Sequence, residues 1–93
     1  MNLIWRETAL DDLDRIVVYI GQYDFDAALR IQSLIEASAE RFAEHPYMYR
    51  VGRVAGTREA VVHPNYMLVY RVGAEAVEVI NVLHTRRQYP PGE

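Results

Sequence analysis

Apolar residues recur every three or four positions in the first half of the chain and every second position in the last third. The period changes near residue 45. Residues 2 to 5, "NLIW", read as a short apolar strand. Thr8 then offers a helix N-cap, with Asp11 three residues on and Asp12 beside it in the first turn. Ala9, Leu13, Ile16, Val17 and Ile20 fall at helical spacing, and Gly21 closes the segment. Asp24 opens a second helix with the stripe Ala27, Ala28, Ile31, Leu34, Ile35, Ser38 and Phe42. It should stop near Glu44, because Pro46 disfavours helical geometry at His45. So short a connection makes the two helices an antiparallel hairpin.

Beyond His45, "HPYMYRVGRVAG" reads as a loop from its proline, two glycines and mixed polarity. "TREAVVH", "YMLVYRV" and "AVEVINVL" follow as β-rich runs separated by "PN" and "GAE" turns, so residues 57 to 83 should form an antiparallel meander. The last run is apolar on both faces, with Val77, Val79 and Leu83 on one and Ile80 and Val82 on the other. That marks an interior strand. The expected fold is α+β, β-α-α-β-β-β, a helical hairpin packed on one antiparallel sheet. No repeat or linker divides it, so residues 1–93 form a single domain.

Composition narrows the picture. There is no cysteine, hence no disulfide framework or thiolate metal site. No signal peptide or membrane-length apolar run is visible, and a cytoplasmic protein without membrane contact is expected. No metal or cofactor is expected. The formal net charge is −3, but it is unevenly placed. Residues 1–49 carry nine acids against four arginines, whereas residues 50–92 carry six arginines against three glutamates. A basic half suits phosphates or an acidic partner. All basic residues are arginine, whose planar fork favours bidentate recognition.

Chemistry-bearing residues gather where regular structure should end, in "VINVLHTRRQYPP". His45 and His63 each precede a proline and read as turn residues, which leaves His84 beside Arg86 and Arg87 as the candidate proton carrier. A histidine that caps the sheet explains the same position without chemistry. Arg71 and Glu78 should pair across their hairpin, and Arg50 and Arg53 read as solvated loop residues. Tyr47, Tyr49, Tyr66 and Tyr70 read as packing at the core's edges rather than as a base-stacking platform.

The stretches "LIWRETALDDLDRIVVYI", "FAEHPYMYRVG", "TREAVVHPNYMLVYRV" and "VEVINVLHTRRQYP", in this order and spacing, resemble the RelE/ParE family of bacterial toxins and lie closer to ParE. The resemblance covers nearly the whole chain. It implies a toxin of a type II toxin–antitoxin system, neutralised by a cognate, ParD-like antitoxin. It also implies one of two activities. ParE-like members bind and poison DNA gyrase; RelE-like members are metal-independent endoribonucleases that cut mRNA in the ribosome. Matched to the ribonucleases, Arg58 and Arg87 fall at functional basic positions, with His84 a candidate acid or base. Ala60 and Val62 are neutral where that pattern is basic, Met67 stands in place of an arginine, and Tyr89 arrives earlier than the matching tyrosine. A partial set is weak support for catalysis, because active-site groups act as a unit. The reading is therefore a gyrase-binding toxin that touches its target or a phosphate through Arg58, His84, Arg86, Arg87 and Tyr89, with mRNA cleavage as the alternative. A toxin fold kept only as an interaction module is a third class.

Overall fold

The computed structural model describes residues 1–87, 89 and 90. Its elements run β1 (Asn2–Trp5), α1 (Glu7–Gly21), α2 (Phe25–Glu44), β2 (Arg50–Val51), β3 (Arg58–His63), β4 (Tyr66–Val72) and β5 (Ala76–His84). The expected order is present: two helices pack on one five-stranded sheet in the spatial order β1-β5-β4-β3-β2. The sheet is mixed rather than wholly antiparallel. β1 pairs parallel to β5, from Asn2 opposite Ala76 to Trp5 opposite Val79. Chain ends brought side by side by an intervening crossover can pair in parallel, which a tight turn cannot do. β5 is thereby an interior strand, as its two apolar faces require. A second difference is β2, two residues inside the expected loop, paired with the start of β3.

α2 follows its sequence signals. The Asp24 side chain accepts a hydrogen bond from the Ala27 N–H at 3.0 Å, and the helix ends at Glu44. α1 does not start as expected. It begins at Glu7 with Arg6 at the N-cap position and no side-chain cap. Thr8 is already inside the helix, and its hydroxyl donates to the Ile80 carbonyl on β5 at 2.6 Å. A tertiary acceptor has displaced the local cap.

The inner core lies between the hairpin and one sheet face: Leu13, Ile35, Ala39 and Phe42 meet Leu68, Tyr70, Val77, Val79 and Val82. Phe42 stacks on Tyr70 with centroids 4.3 Å apart, and Tyr49 meets Phe42 edge-on at 5.0 Å. Tyr70 is fully buried, and its hydroxyl donates to the Pro46 carbonyl at 2.7 Å, so the loop after α2 is tied to β4. Tyr47 departs from the expected core edge and is exposed.

A bulge in β5 sets which residues reach this core. Val69 pairs with Asn81 but Tyr70 pairs with Val79, so Ile80 is the extra residue. The bulge breaks the alternation expected from sequence. Val82 joins Val77 and Val79 on the helix face, and Leu83 turns to the outer face, where it packs with Met67 and Val69.

Ile35→Ala, which truncates a fully buried side chain, should cost ~2–5 kcal/mol and lower the melting temperature by about 4–8 °C for each kcal/mol lost. Leu34→Ala, at a half-buried position, should cost less. An unchanged melting temperature for Ile35→Ala would show that the face of α2 is misassigned. Burial, with a smaller contribution from Tyr49, pushes the Tyr70 phenol up to about 12 against the opposing pull of Arg58. An unfolded tyrosine ionises near pH 10, about where the ordinary value lies. The stabilisation from keeping Tyr70 protonated is therefore complete below that pH and is lost as pH rises towards 12. Alkaline unfolding followed by circular dichroism should begin later in Tyr70→Phe than in the parent protein when each is scaled to its own neutral stability. Identical scaled profiles would remove Tyr70 as the controlling group.

Candidate functional site

The last turn of the sheet is built by backbone bonds that the β3–β4 turn supplies. Thr85 donates from its N–H to Asn65 O and from its hydroxyl to Pro64 O, both at 2.8 Å. His63 Nδ1 accepts the Asn65 N–H at 3.0 Å, and His84 Nδ1 accepts the Arg86 N–H at 3.1 Å. Both histidines thus serve turns, as expected for His63, and a neutral ring in this role carries its proton on Nε2. The Tyr66 ring lies between them, with centroids 5.6 Å from each. His45, the third histidine, occupies the C-cap of α2.

The β5 bulge turns His84 to the side of Tyr66, and both face α1 across a cleft of about 400 Å³. Ile16 and Val82 contribute apolar lining, Tyr19 faces Tyr66, and Arg15 and Arg87 contribute cationic groups. Asp12, nearly buried, is already engaged. One carboxylate oxygen accepts Val82 N–H at 3.0 Å and Asn81 Nδ2 at 2.9 Å; the other accepts Arg15 at 3.3 Å. Burial, reinforced by the neighbouring Tyr19, pushes the Tyr66 phenol up, so it stays a proton donor at neutral pH.

The candidate residues do not form one constellation. His84 and Arg87 share the cleft, and Arg86 is exposed beside it in sequence. Arg58 sits elsewhere. Its register partner is Tyr70 whereas that of His84 is Tyr66, four residues away along β4, or about 13 Å at roughly 3.3 Å per residue. Arg58 donates to the Tyr49 carbonyl at 2.7 Å, and its guanidinium lies over the Tyr47 ring at 5.0 Å. Tyr89 is on the outer face, where it packs against Met67, Val69 and Leu83. Gln88 and residues 91–93 of the terminal stretch lie outside the described residues.

Two expectations for arginines are corrected. Arg50 and Arg53 are not merely solvated: Arg50 Nη2 is 3.0 Å and Arg53 Nε 3.4 Å from Oε1 of buried Glu59, whose Oε2 accepts the Arg53 N–H at 3.0 Å. Arg53 also reaches the Tyr89 carbonyl at 3.4 Å. The turn that aims Arg53 closes at Gly56, whose φ of +79° lies in the left-handed region that glycine tolerates. Arg71 and Glu78 do face each other in register, but the Glu78 carboxylate pairs with Arg6 Nε at 3.1 Å. β1 and the start of α1 bring a competing cation to that carboxylate.

The sequence reading missed Asp12 as a site residue and treated it as a first-turn acid. A signal was present. Asp12, Arg15, Ile16 and Tyr19 follow helical spacing, and Asp12 falls between Ala9 and Leu13 on the buried stripe. An acid there needs tertiary partners. Glu59, beside buried Ala60 on β3, carried no such periodic warning.

A helical hairpin on a five-stranded sheet is the architecture of toxins found in solved toxin–antitoxin complexes. The fold matches the chromosomal ParDE system of P. aeruginosa with a TM-score of 0.83 at 19% identity, over 90% of this chain and 95% of that one. It matches the RelBE2 complex of Mycobacterium tuberculosis with a TM-score of 0.67 at 22% identity, over 89% and 95%. Sequence is more specific. A Sinorhizobium fredii protein, Y4kP, named as a toxin, is 38% identical over 87 residues, covering 92% of this chain and 90% of that protein. Toxin RelE2 of Caulobacter vibrioides is 35% identical over 86 residues, covering 92% and 97%. Residues 3–89 match the ParE toxin of type II toxin–antitoxin systems, parDE. The chain belongs to that family, and a cognate antitoxin is its implied partner.

Asp12→Ala should leave the Val82 N–H and Asn81 amide without their acceptor and cost ~1–3 kcal/mol, with Asp12→Asn losing less because one oxygen remains. Hydrogen exchange should quicken at Val82 in the alanine variant. Unaltered protection there would mean that Asp12 does not hold the bulge.

Proposed function

We propose that this toxin acts by binding DNA gyrase rather than by cutting RNA, and that a ParD-like antitoxin neutralises it. The observation that carries the reading is the state of Met67. It occupies the position where RelE-like ribonucleases have an arginine, and its side chain is buried on the outer face with Val69, Leu83 and Tyr89. Ala60, another position that is basic in that pattern, is buried under the helices. Arg58, the basic residue that remains on β3, is bonded to a backbone carbonyl. Cleavage through the 2′-hydroxyl needs a proton donor, a base and cations converging on one phosphate. Only His84 and Arg87 of the candidate set line the same cleft. A protein target needs no such convergence, since rigid exposed groups around a cleft suffice for recognition.

The ribonuclease alternative keeps two observations in its favour. His84, Arg87 and the donor Tyr66 border one cavity, and one relative bears the name RelE2. The two readings separate in purified systems. A gyrase-binding toxin inhibits supercoiling or traps cleaved DNA and leaves mRNA on programmed ribosomes intact. His84→Gln should then change potency little. A ribonuclease that moves a proton through His84 should lose about 10²–10⁴ in rate on that substitution. Specific mRNA cuts in the ribosomal A site, abolished by His84→Gln, would overturn the gyrase reading.

A further inference from the structure

Two turns close the end of the sheet beside the cleft, and each is locked by a histidine ring. His63 Nδ1 accepts the Asn65 N–H at 3.0 Å between β3 and β4, and His84 Nδ1 accepts the Arg86 N–H at 3.1 Å where the chain leaves β5. The turns are also bonded to one another, because Thr85 donates from its N–H to Asn65 O and from its hydroxyl to Pro64 O. The Arg87 N–H returns to the His84 carbonyl at 2.9 Å, so the same turn sets where Arg87 meets the cleft. An imidazole nitrogen accepts a hydrogen bond only while it carries no proton, and in the imidazolium both nitrogens are donors. Each lock is therefore confined to the neutral ring.

We propose that His63 and His84 form a paired pH latch. Neutral, they hold the two turns and keep Arg87 at the cleft; charged, they release both turns and the arginine with them. The bonds are present above the range in which histidine takes up its proton and are lost as pH falls through it, at about pH 7 to 5.5. The groups around the rings leave that loss uncompensated. Against His84 lie Asp12, Arg15 and Tyr19 from α1, Tyr66 from β4 and Arg87 from its own turn, with Arg86 next to it in the chain. Asp12 already serves Arg15, Asn81 and the Val82 N–H, so an imidazolium would join two guanidiniums without a free carboxylate. His63 meets the Tyr66 ring, which stands between the two histidines with centroids 5.6 Å from each. Among the described residues neither ring forms a salt bridge. Thr85 couples the pair, because opening either turn disturbs the bonds that join it to the other. The latch sets the rim of the cleft and not the core beneath it, and it is independent of gyrase as the target.

The test is nuclear magnetic resonance on the full chain, isotopically labelled in nitrogen. At about pH 7.5, where histidine is neutral, each Nδ1 should couple through its hydrogen bond to the amide nitrogen of Asn65 or Arg86. At about pH 5.5, below the ordinary histidine value, both couplings should vanish. Exchange protection at the Thr85 amide, scaled for the intrinsic rate, should then fall by roughly three- to tenfold, the worth of one turn bond. That amide bonds to Asn65 O and to neither ring, so a histidine that titrates without holding a turn leaves it unmoved. In the double variant His63→Asn, His84→Asn, each carboxamide oxygen accepts the same N–H and does not titrate. Its Thr85 protection should stay level across that range. Rings that carry their proton on Nδ1 at neutral pH, level Thr85 protection in the parent protein, or an equal loss in the double variant would each overturn the latch. The couplings and the Thr85 profile are read on the unsubstituted protein, so they remain decisive even where a variant misfolds. Gyrase inhibition is measured separately: its absence removes the target reading and leaves the latch in place.

Discussion

Around the bulge at Ile80, past the end of the β1 pairing, the first two turns of α1 bond β5 directly. Thr8 donates to the Ile80 carbonyl, and Asp12 accepts from Asn81 and the Val82 N–H. The bond from Val82 N–H is buried, and leaving that donor without its acceptor would cost about 1–3 kcal/mol, a large share of a small domain's stability. α1 in this place therefore stabilises the bulged stretch of β5. The dependence runs the other way as well. Asp12 is a nearly buried acid, and without β5 it would carry an uncompensated desolvation penalty. Helix and strand fix each other's position, and the cleft between them follows.

That mutual fixing decides which chemistry points where. With strict alternation, Leu83 would face the helices and His84 would face away. The extra residue reverses the phase, so Leu83 closes the outer cluster and His84 borders the cleft with Tyr66 and Arg87. One inserted residue thus moves a titratable ring from one side of the sheet to the other.

Local signals were readable in the sequence and long-range ones were not. The Asp24 cap, the stop before Pro46, the stripe through Ile35 and Phe42, and the interior position of β5 all rest on neighbours within a few residues or on simple periodicity. The Ile80 bulge, the parallel docking of β1 and the loss of the Thr8 cap each depend on residues about seventy positions away. Composition also misled on charge. It counted Arg50 and Arg53 as free surface cations, whereas both, still exposed, bond the one buried carboxylate of Glu59. The candidate terminal cluster looked continuous because it is continuous in sequence, but the chain turns after His84 and sends Arg87 to the cleft and Tyr89 to the outer face.

The arginine pairings bear directly on the kind of partner this surface suits. Arg6 pairs with Glu78, Arg15 with Asp12, and Arg50 and Arg53 with Glu59, while Arg58 lies on a carbonyl and a ring. Three of the six arginines of residues 50–92, Arg50, Arg53 and Arg58, are thereby held by internal bonds, although pairing leaves the net charge of that half unchanged. Nucleic-acid binding draws on many cations acting together and falls steeply with salt. Protein recognition draws on a few rigid aromatic or guanidinium groups at the rim of an apolar depression. Tyr19, Tyr66 and Arg87 around Ile16 and Val82 have that second form. On the outer sheet face Tyr89 packs over Met67, Val69 and Leu83 and its carbonyl accepts from Arg53, while Val61, in register with Met67, stays exposed. Apolar side chains stay open to solvent beside the cleft and on the hairpin, and also at Ile4, Tyr47, Met48, Val51 and Val61 on the sheet and its loops, so a protein partner has more than one apolar surface to meet.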